Sequence, residues 1–180
     1  MITPNKIAKE SESSHQSAFF SYCAVAELHG FDVADEWCDT GQLNRNKSQP
    51  LPCLEWIHHI PNGGSRGSTK KDRMIRGARL KAEGVRPGVA DIHLPFSVYW
   101  MNVHWHGLYI EMKKPSEKPK RLTSKGGMSE EQLAFKRYCQ INFFAFATCY
   151  SWEEAIDVLK KYINSNTPME QQNGRSDLSL

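Results

Sequence analysis

The sequence predicts one α/β domain built on a mixed central sheet flanked by helices, with its elements in the order αβαββαβα. Its 180 residues, 39% hydrophobic and 24% charged, supply one full core and would crowd a second. Four segments carry helical spacing or helix-end signals, and four short segments among them alternate or run apolar in the manner of strands.

The first helix covers 13–29, where Phe19, Tyr22, Cys23 and Ala26 recur on one face and Gly30 stops it. The stretch 31–55 holds Gly41, Pro50, Pro52 and a polar NRNKSQ run without sustained periodicity, so it is expected to be an irregular insertion. WIHHI (56–60) is a short strand closed by the turn signal Pro61-Asn62-Gly63-Gly64. A basic helix over 70–83 then ends at Gly84. DIHLP (91–95) is a short strand. GLYIEMK (107–113) is a clearer one, with Leu108, Ile110 and Met112 on one face and Tyr109, Glu111 and Lys113 on the other. A Lys-rich loop leads to a helix over 129–140, the strand FFAFATC (143–149) and a helix over 151–164. Ala155, Ile156, Leu159, Tyr162 and Ile163 form the apolar stripe of that last helix. Ser129 with Gln132, and Ser151 with Glu154, fit capping boxes at the two helix starts. The domain is therefore expected over 12–164, between a flexible segment at 1–11 and a polar, disordered tail at 165–180.

No apolar run approaches the roughly 18–20 residues that span a bilayer, and the polar start MITPNKIAKESES lacks the apolar stretch of a signal peptide. A soluble, cytoplasmic, non-secreted protein without a membrane partner is expected. Cys23, Cys38, Cys53, Cys139 and Cys149 are odd in number and contain no close pair, which fits reduced thiols. The net charge of +3 conceals an uneven distribution: over 66–125 fourteen Lys or Arg stand against five Asp or Glu, a local +9, while the remainder carries −6. A basic middle third suggests a polyanionic partner, because cations near phosphates gain affinity by releasing condensed counterions. Arg66, Lys70, Lys71, Arg76, Lys118, Lys120 and Arg121 are the candidate nucleic-acid contacts. They include no groove-reading motif, so they would hold substrate without reading its sequence.

Residues two apart on a strand share a face, so Glu111 and Lys113 stand side by side. Asp91 lies twenty residues earlier, after the Gly-containing segment GVRPGVAD, and an antiparallel return would set it beside Glu111. Two carboxylates at close range, expected at a solvent-open cleft, ask for a cation, and hard oxygen ligands suit Mg²⁺ or Mn²⁺. Phosphodiester hydrolysis needs such parts: a metal to bind the phosphate and activate water, and a cation for the developing charge. Lys113 can supply that charge, orient the attacking water, or act as a base if its pKa is lowered. Zinc is not expected from His58 and His59 or from His104 and His106, because no Cys-x-x-Cys accompanies them and adjacent strand residues face opposite ways. Tyr99, Trp100 and Trp105 suit core packing or a dimer contact better than base stacking.

IHHIPNGG with Arg66, then RLKAEGVRPGVADIHLP, HGLYIEMK and SEEQ, resemble in order and spacing the successive motifs of the VRR-NUC family, a branch of the PD-(D/E)XK nucleases. The resemblance runs from Glu12 to Asn164, outside the stretch 31–55. It implies a restriction-endonuclease-like fold and a metal-dependent DNA endonuclease selective for branched or flapped substrates, with Asp91, Glu111 and Lys113 at the catalytic positions. It also implies that Glu12, on the first helix, reaches the metal. Gln16 lies one turn later; a capping box with Ser13 explains it as well, and a favourable charge at a helix start explains Glu12. Gln132 matches a family glutamine and equally fits its capping box. Ala90 departs from the proline usual before the aspartate, which should cost rigidity rather than chemistry. Small relatives resemble homodimers, so a homodimer is expected. Two other readings stand beside the enzyme: a non-catalytic nucleic-acid-binding module, and a nuclease subunit that needs a targeting partner.

Overall fold

The computed structural model describes residues 2–8, 11–61, 69–120 and 125–165. Arg66, Arg121, most of the 61–64 turn signal and the tail beyond Ser165 lie outside them.

The chain opens with a single turn, α1 (Pro4–Ile7), which Pro4 starts because its missing N–H has no partner to lose there. It packs on α2 (Glu12–His29), whose N-cap is Ser11, its side chain accepting from Ser14 N. Gly30 ends α2 at a φ of 86° that L side chains resist, and an added Cβ would meet the Gln49 carbonyl.

The stretch expected to be irregular begins instead with a helix, α3 (Phe31–Thr40), which buries Val33, Ala34 and Trp37 against α2. Those three residues stand at helical spacing, but the window is short and acidic, so its stripe is weak until α2 supplies the other half of the contact. Of 31–55 only the part after Thr40 is irregular, and it holds two short 3-10 turns.

Strand β1 (His58–His59) is shorter than WIHHI suggested. Helix α4 (Lys70–Ala82) follows, started by a capping box of Thr69 and Asp72. Then come β2 (Ile92–Leu94), β3 (Val98–Trp100), β4 (Val103–Trp105) and β5 (Leu108–Met112). The β3–β4 hairpin was not legible in the sequence. Its two turn residues, Met101 and Asn102, have φ of 51° and 61°, the left-handed pair of a tight hairpin turn, without the glycine that usually announces it. Helix α5 (Glu130–Ile141), strand β6 (Ala145–Cys149) and helix α6 (Trp152–Asn164) complete the chain. Ser151 caps α6 by accepting from Glu154 N, but the Glu154 carboxylate accepts from Tyr150 N instead of returning to Ser151, so only half of that capping box forms.

Four strands make one mixed sheet in the order β1-β2-β5-β6, antiparallel except for the parallel pair β5–β6. One face of the sheet presents Ile92, Leu94, Leu108, Ile110 and Met112 to a core shared with α2, α3 and α6. On the other face His93 stacks on Tyr109, and Tyr109 meets Phe135 of α5 edge to face. Trp105 packs against the core, while Trp100 is exposed. The αβαββαβα plan is thus the observed mixed α/β fold with α1, α3 and a hairpin added. All five cysteines are free. No helix among the described residues is long and apolar enough to cross a membrane.

Candidate active site at the end of the sheet

The β2–β5 register pairs Ile92 with Ile110, and its continuation sets Asp91 across from Glu111 at the end of the sheet. Their two side chains project on the Tyr109 face, toward the N-terminus of α5, while the N-terminus of α2 closes on the site from the core side. Between the helices lies a cleft of about 720 Å³, lined by Glu12, Gln16, His59, Asp91, Glu111, Lys113 and Gln132 among others.

Asp91 is held twice. Its Oδ2 accepts from Met112 N at 2.9 Å, so the carboxylate itself extends the β2–β5 ladder. Its backbone carbonyl accepts from Ile60 N at 2.7 Å and from His59 Nδ1 at 2.9 Å, which ties β1 to the same point. The approach to it is tight: Gly88 has a φ of 85°, and a Cβ there would lie 2.5 Å from the Glu131 backbone. Only glycine lets the segment before Asp91 pass the start of α5 so closely.

Glu111 is 1% exposed, and its Oε1 accepts from Lys113 Nζ at 2.7 Å and from Gln132 Nε2. Its Oε2 is buried and has no hydrogen-bond partner among the described residues. Burial first, then the neighbouring Asp91 charge, pushes its pKa up to about 7, against the pull of Lys113. Burial works to lower Lys113, yet its bond to Glu111 and the charges of Glu111, Glu12 and Asp91 outweigh that and raise it above the ordinary lysine value. Lys113 is therefore an ammonium in this setting, which disfavours its reading as a base. Glu12, half-buried at the start of α2, is raised by burial and then by Asp91.

The expected trio of Asp91, Glu111 and Lys113 is brought together, with Glu12 on the cleft wall. Both carboxylates line the cleft, yet Asp91 is 9% and Glu111 1% exposed, with Gln132 donating to Glu111. Gln132 does not choose between its two readings. Its Oε1 accepts from Ser129 N at 2.9 Å as a cap, and its Nε2 donates to Glu111. Gln16 is no capping partner of Ser13, since Ser11 is the cap of α2, and it lines the cleft. Residue-level reading missed His59, which had been weighed only as a zinc ligand. The signal was present in the antiparallel pairing of WIHHI with DIHLP, which sets His59 across from Ile92 and next to Asp91.

The basic contacts divide. Lys71 and Arg76 are exposed on α4, which Lys70 opens and which carries six Lys or Arg against one Asp in thirteen residues. No residue of α4 from Lys71 to Ala82 is buried, and Met74 and Ile75 are 68% and 59% exposed. Lys118 pairs with Glu154 at 2.5 Å, and Lys120 is exposed.

Among the described residues no three His, Cys, Asp or Glu side chains are grouped to hold a metal alone. The available donors are carboxylate oxygens, with one oxygen orphaned, a set suited to a hard cation that keeps water in its shell. The fold and cleft define a single mixed α/β domain with paired carboxylates and a lysine at the sheet end. A solved structure named "VRR_NUC domain protein" shares that fold, with a TM-score of 0.51 and 17% identity over 88% of this chain and 93% of the other. No protein-family model matches the sequence. No curated protein matches it either.

Proposed function

We propose that the chain is a metal-dependent nuclease that hydrolyses phosphodiester bonds in nucleic acid, a structure-selective DNA endonuclease acting in the cytoplasm. The observation that carries this reading is Glu111: a buried carboxylate beside Asp91, bonded to Lys113, with Oε2 lacking any partner among the described residues. Burying two acids together costs stability unless a cation neutralises them, and a binding site for one is the simplest reason to keep both.

Asp91 and Glu111 would hold Mg²⁺ or Mn²⁺, with Glu12 close enough to act on its charge. The metal supplies Lewis-acid binding of the scissile phosphate and a water of lowered pKa. Lys113, kept protonated by its carboxylate neighbours, stabilises the charge that develops at phosphorus. Gln132 fixes the Glu111 rotamer. The α2 and α5 N-termini direct their positive ends at the same cleft and favour an anionic substrate. The exposed cations of α4, with Lys120, retain the phosphate backbone.

Pairing with a second copy is part of this reading. Trp100, Met101, Tyr138, Ile141 and Phe143 are large apolar side chains left exposed, and Trp100 shares one groove with Gln140 and Phe144 at the end of α5. Incubating the protein with plasmid and branched DNA in Mg²⁺, Mn²⁺ or EDTA tests the activity. Cleavage in either metal and none in EDTA is expected. DNA binding without cleavage in any metal would replace the enzyme with a binding module.

A further inference from the structure

His59 Nδ1 lies 2.9 Å from the backbone carbonyl oxygen of Asp91. A carbonyl oxygen only accepts, so Nδ1 carries the proton in that bond, and in the neutral ring Nε2 is left as a lone-pair acceptor. The ring is fixed as well as its tautomer, because Ile60 N donates to the same oxygen at 2.7 Å and holds the end of β1 against β2. His59 is exposed and lines the cleft that contains Asp91, Glu111 and Lys113.

In the nuclease reading the Asp91 and Glu12 carboxylates and the unpartnered Glu111 Oε2 face the metal, and few other acceptors remain. Lys113 only donates. The Gln132 oxygen is on Ser129 N, and Glu111 Oε1 takes both Lys113 and Gln132. A water that attacks phosphorus must point its lone pair at the phosphate and its hydrogens elsewhere, which requires an acceptor behind it. We propose that His59 is a water-orienting residue of this cleft: Nε2 accepts a hydrogen bond from the attacking water, and the Asp91 carbonyl holds the ring in the tautomer that can do so. The proposal rests on the nuclease reading for the identity of that water, but the tautomer stands independently of it.

Two measurements test it. Long-range ¹H–¹⁵N NMR on the metal-free protein should show His59 with Nδ1 protonated and Nε2 bare; the opposite tautomer overturns the proposal without any variant. His59→Asn keeps a donor for the Asp91 carbonyl and removes the Nε2 acceptor. It should lower single-turnover cleavage about 10- to 100-fold, in the range of losing a general acid–base or orienting contact, while KM for DNA and Mn²⁺ affinity by calorimetry stay within about twofold. A purely structural His59 would leave His59→Asn as active as wild type, and that result overturns the proposal. Equal loss of Mn²⁺ affinity and cleavage would also overturn it, by making His59 a support of the carboxylates. A wild-type protein that cuts no DNA sinks the nuclease reading itself, a different failure from an active wild type with an active His59→Asn.

Discussion

Changing the pH between 6 and 8 should switch the site's capacity for metal chiefly through Glu111. Its pKa is pushed up to about 7 by burial and by Asp91. A cation binds the ionised carboxylate, so affinity follows the ionised fraction, about nine-tenths at pH 8 and one-tenth at pH 6. Mn²⁺ affinity by calorimetry should therefore fall about tenfold from pH 8 to pH 6, with proton release on binding near pH 7. The same shift has a sign for stability. The folded pKa lies above the ordinary 4.5, so the metal-free fold is favoured below 4.5 and loses that stability as pH rises through 7. The shift of about 2.5 units corresponds to about 3 kcal/mol, or some 6–12 °C in Tm for a chain of this size. Thermal melts in EDTA should thus decline from pH 5 to pH 8 in the wild type and stay flatter in Glu111→Gln. A Mn²⁺ affinity that is the same at pH 6 and pH 8, with parallel melting curves for the two proteins, would refute the reasoning and leave Glu111 an ordinary ionised partner of Lys113.

Asp91→Asn, which can still accept from Met112 N, should abolish cleavage at little cost to the fold, whereas Asp91→Ala should also lose about 1–3 kcal/mol by stranding that N–H; chemical denaturation beside a cleavage assay separates the two. Lys113→Ala should slow single-turnover cleavage about 10²-fold or more while Mn²⁺ binding holds or tightens, and equal loss of both would make Lys113 a structural support. Replacing Lys71, Arg73 and Lys81 of α4 with Glu should reduce the log–log salt slope of DNA binding by about 3, alike on every sequence, and a selective loss on one sequence would contradict backbone-only contact. Gly88→Ala should destabilise the fold by on the order of 2 kcal/mol, because its left-handed φ and the Glu131 backbone 2.5 Å away leave no room for a methyl group, and an unchanged melt would show that the segment before Asp91 can move aside.

What local pattern can carry, it carried. The alternation of GLYIEMK assigned Leu108, Ile110 and Met112 to the core face and Glu111 to the other, and the glycines of GVRPGVAD foretold a strand returning with Asp91 beside Glu111. The helix start at Ser129 was legible from its capping box, whereas the cap of α2 is Ser11 and not the Ser13 the sequence suggested. Elements stabilised from elsewhere were not: α3 is helical because Ala34 and Trp37 join the core that α2 shares, and β3–β4 turns through left-handed Met101 and Asn102 without glycine.

The same limit explains why the sequence set Asp91, Glu111 and Lys113 side by side without giving their depth. Strand periodicity says which face a side chain takes and nothing about how deep that face lies. The depth of Glu111 is set by residue 132, twenty-one positions later, where one glutamine caps α5 with its oxygen and reaches the carboxylate with its nitrogen. Because both bonds use one side chain, the cap fixes the position of the helix that buries the acid, and the burial in turn raises the pKa that makes the acid responsive near neutral pH. Sequence reading had set the two roles of Gln132 against each other as alternatives. In the folded chain the structural role is the means of the chemical one, and Gln132→Ala should therefore loosen α5 and return Glu111 toward the ordinary carboxylate range together, a joint change visible in the melt and in the pH dependence of Mn²⁺ affinity.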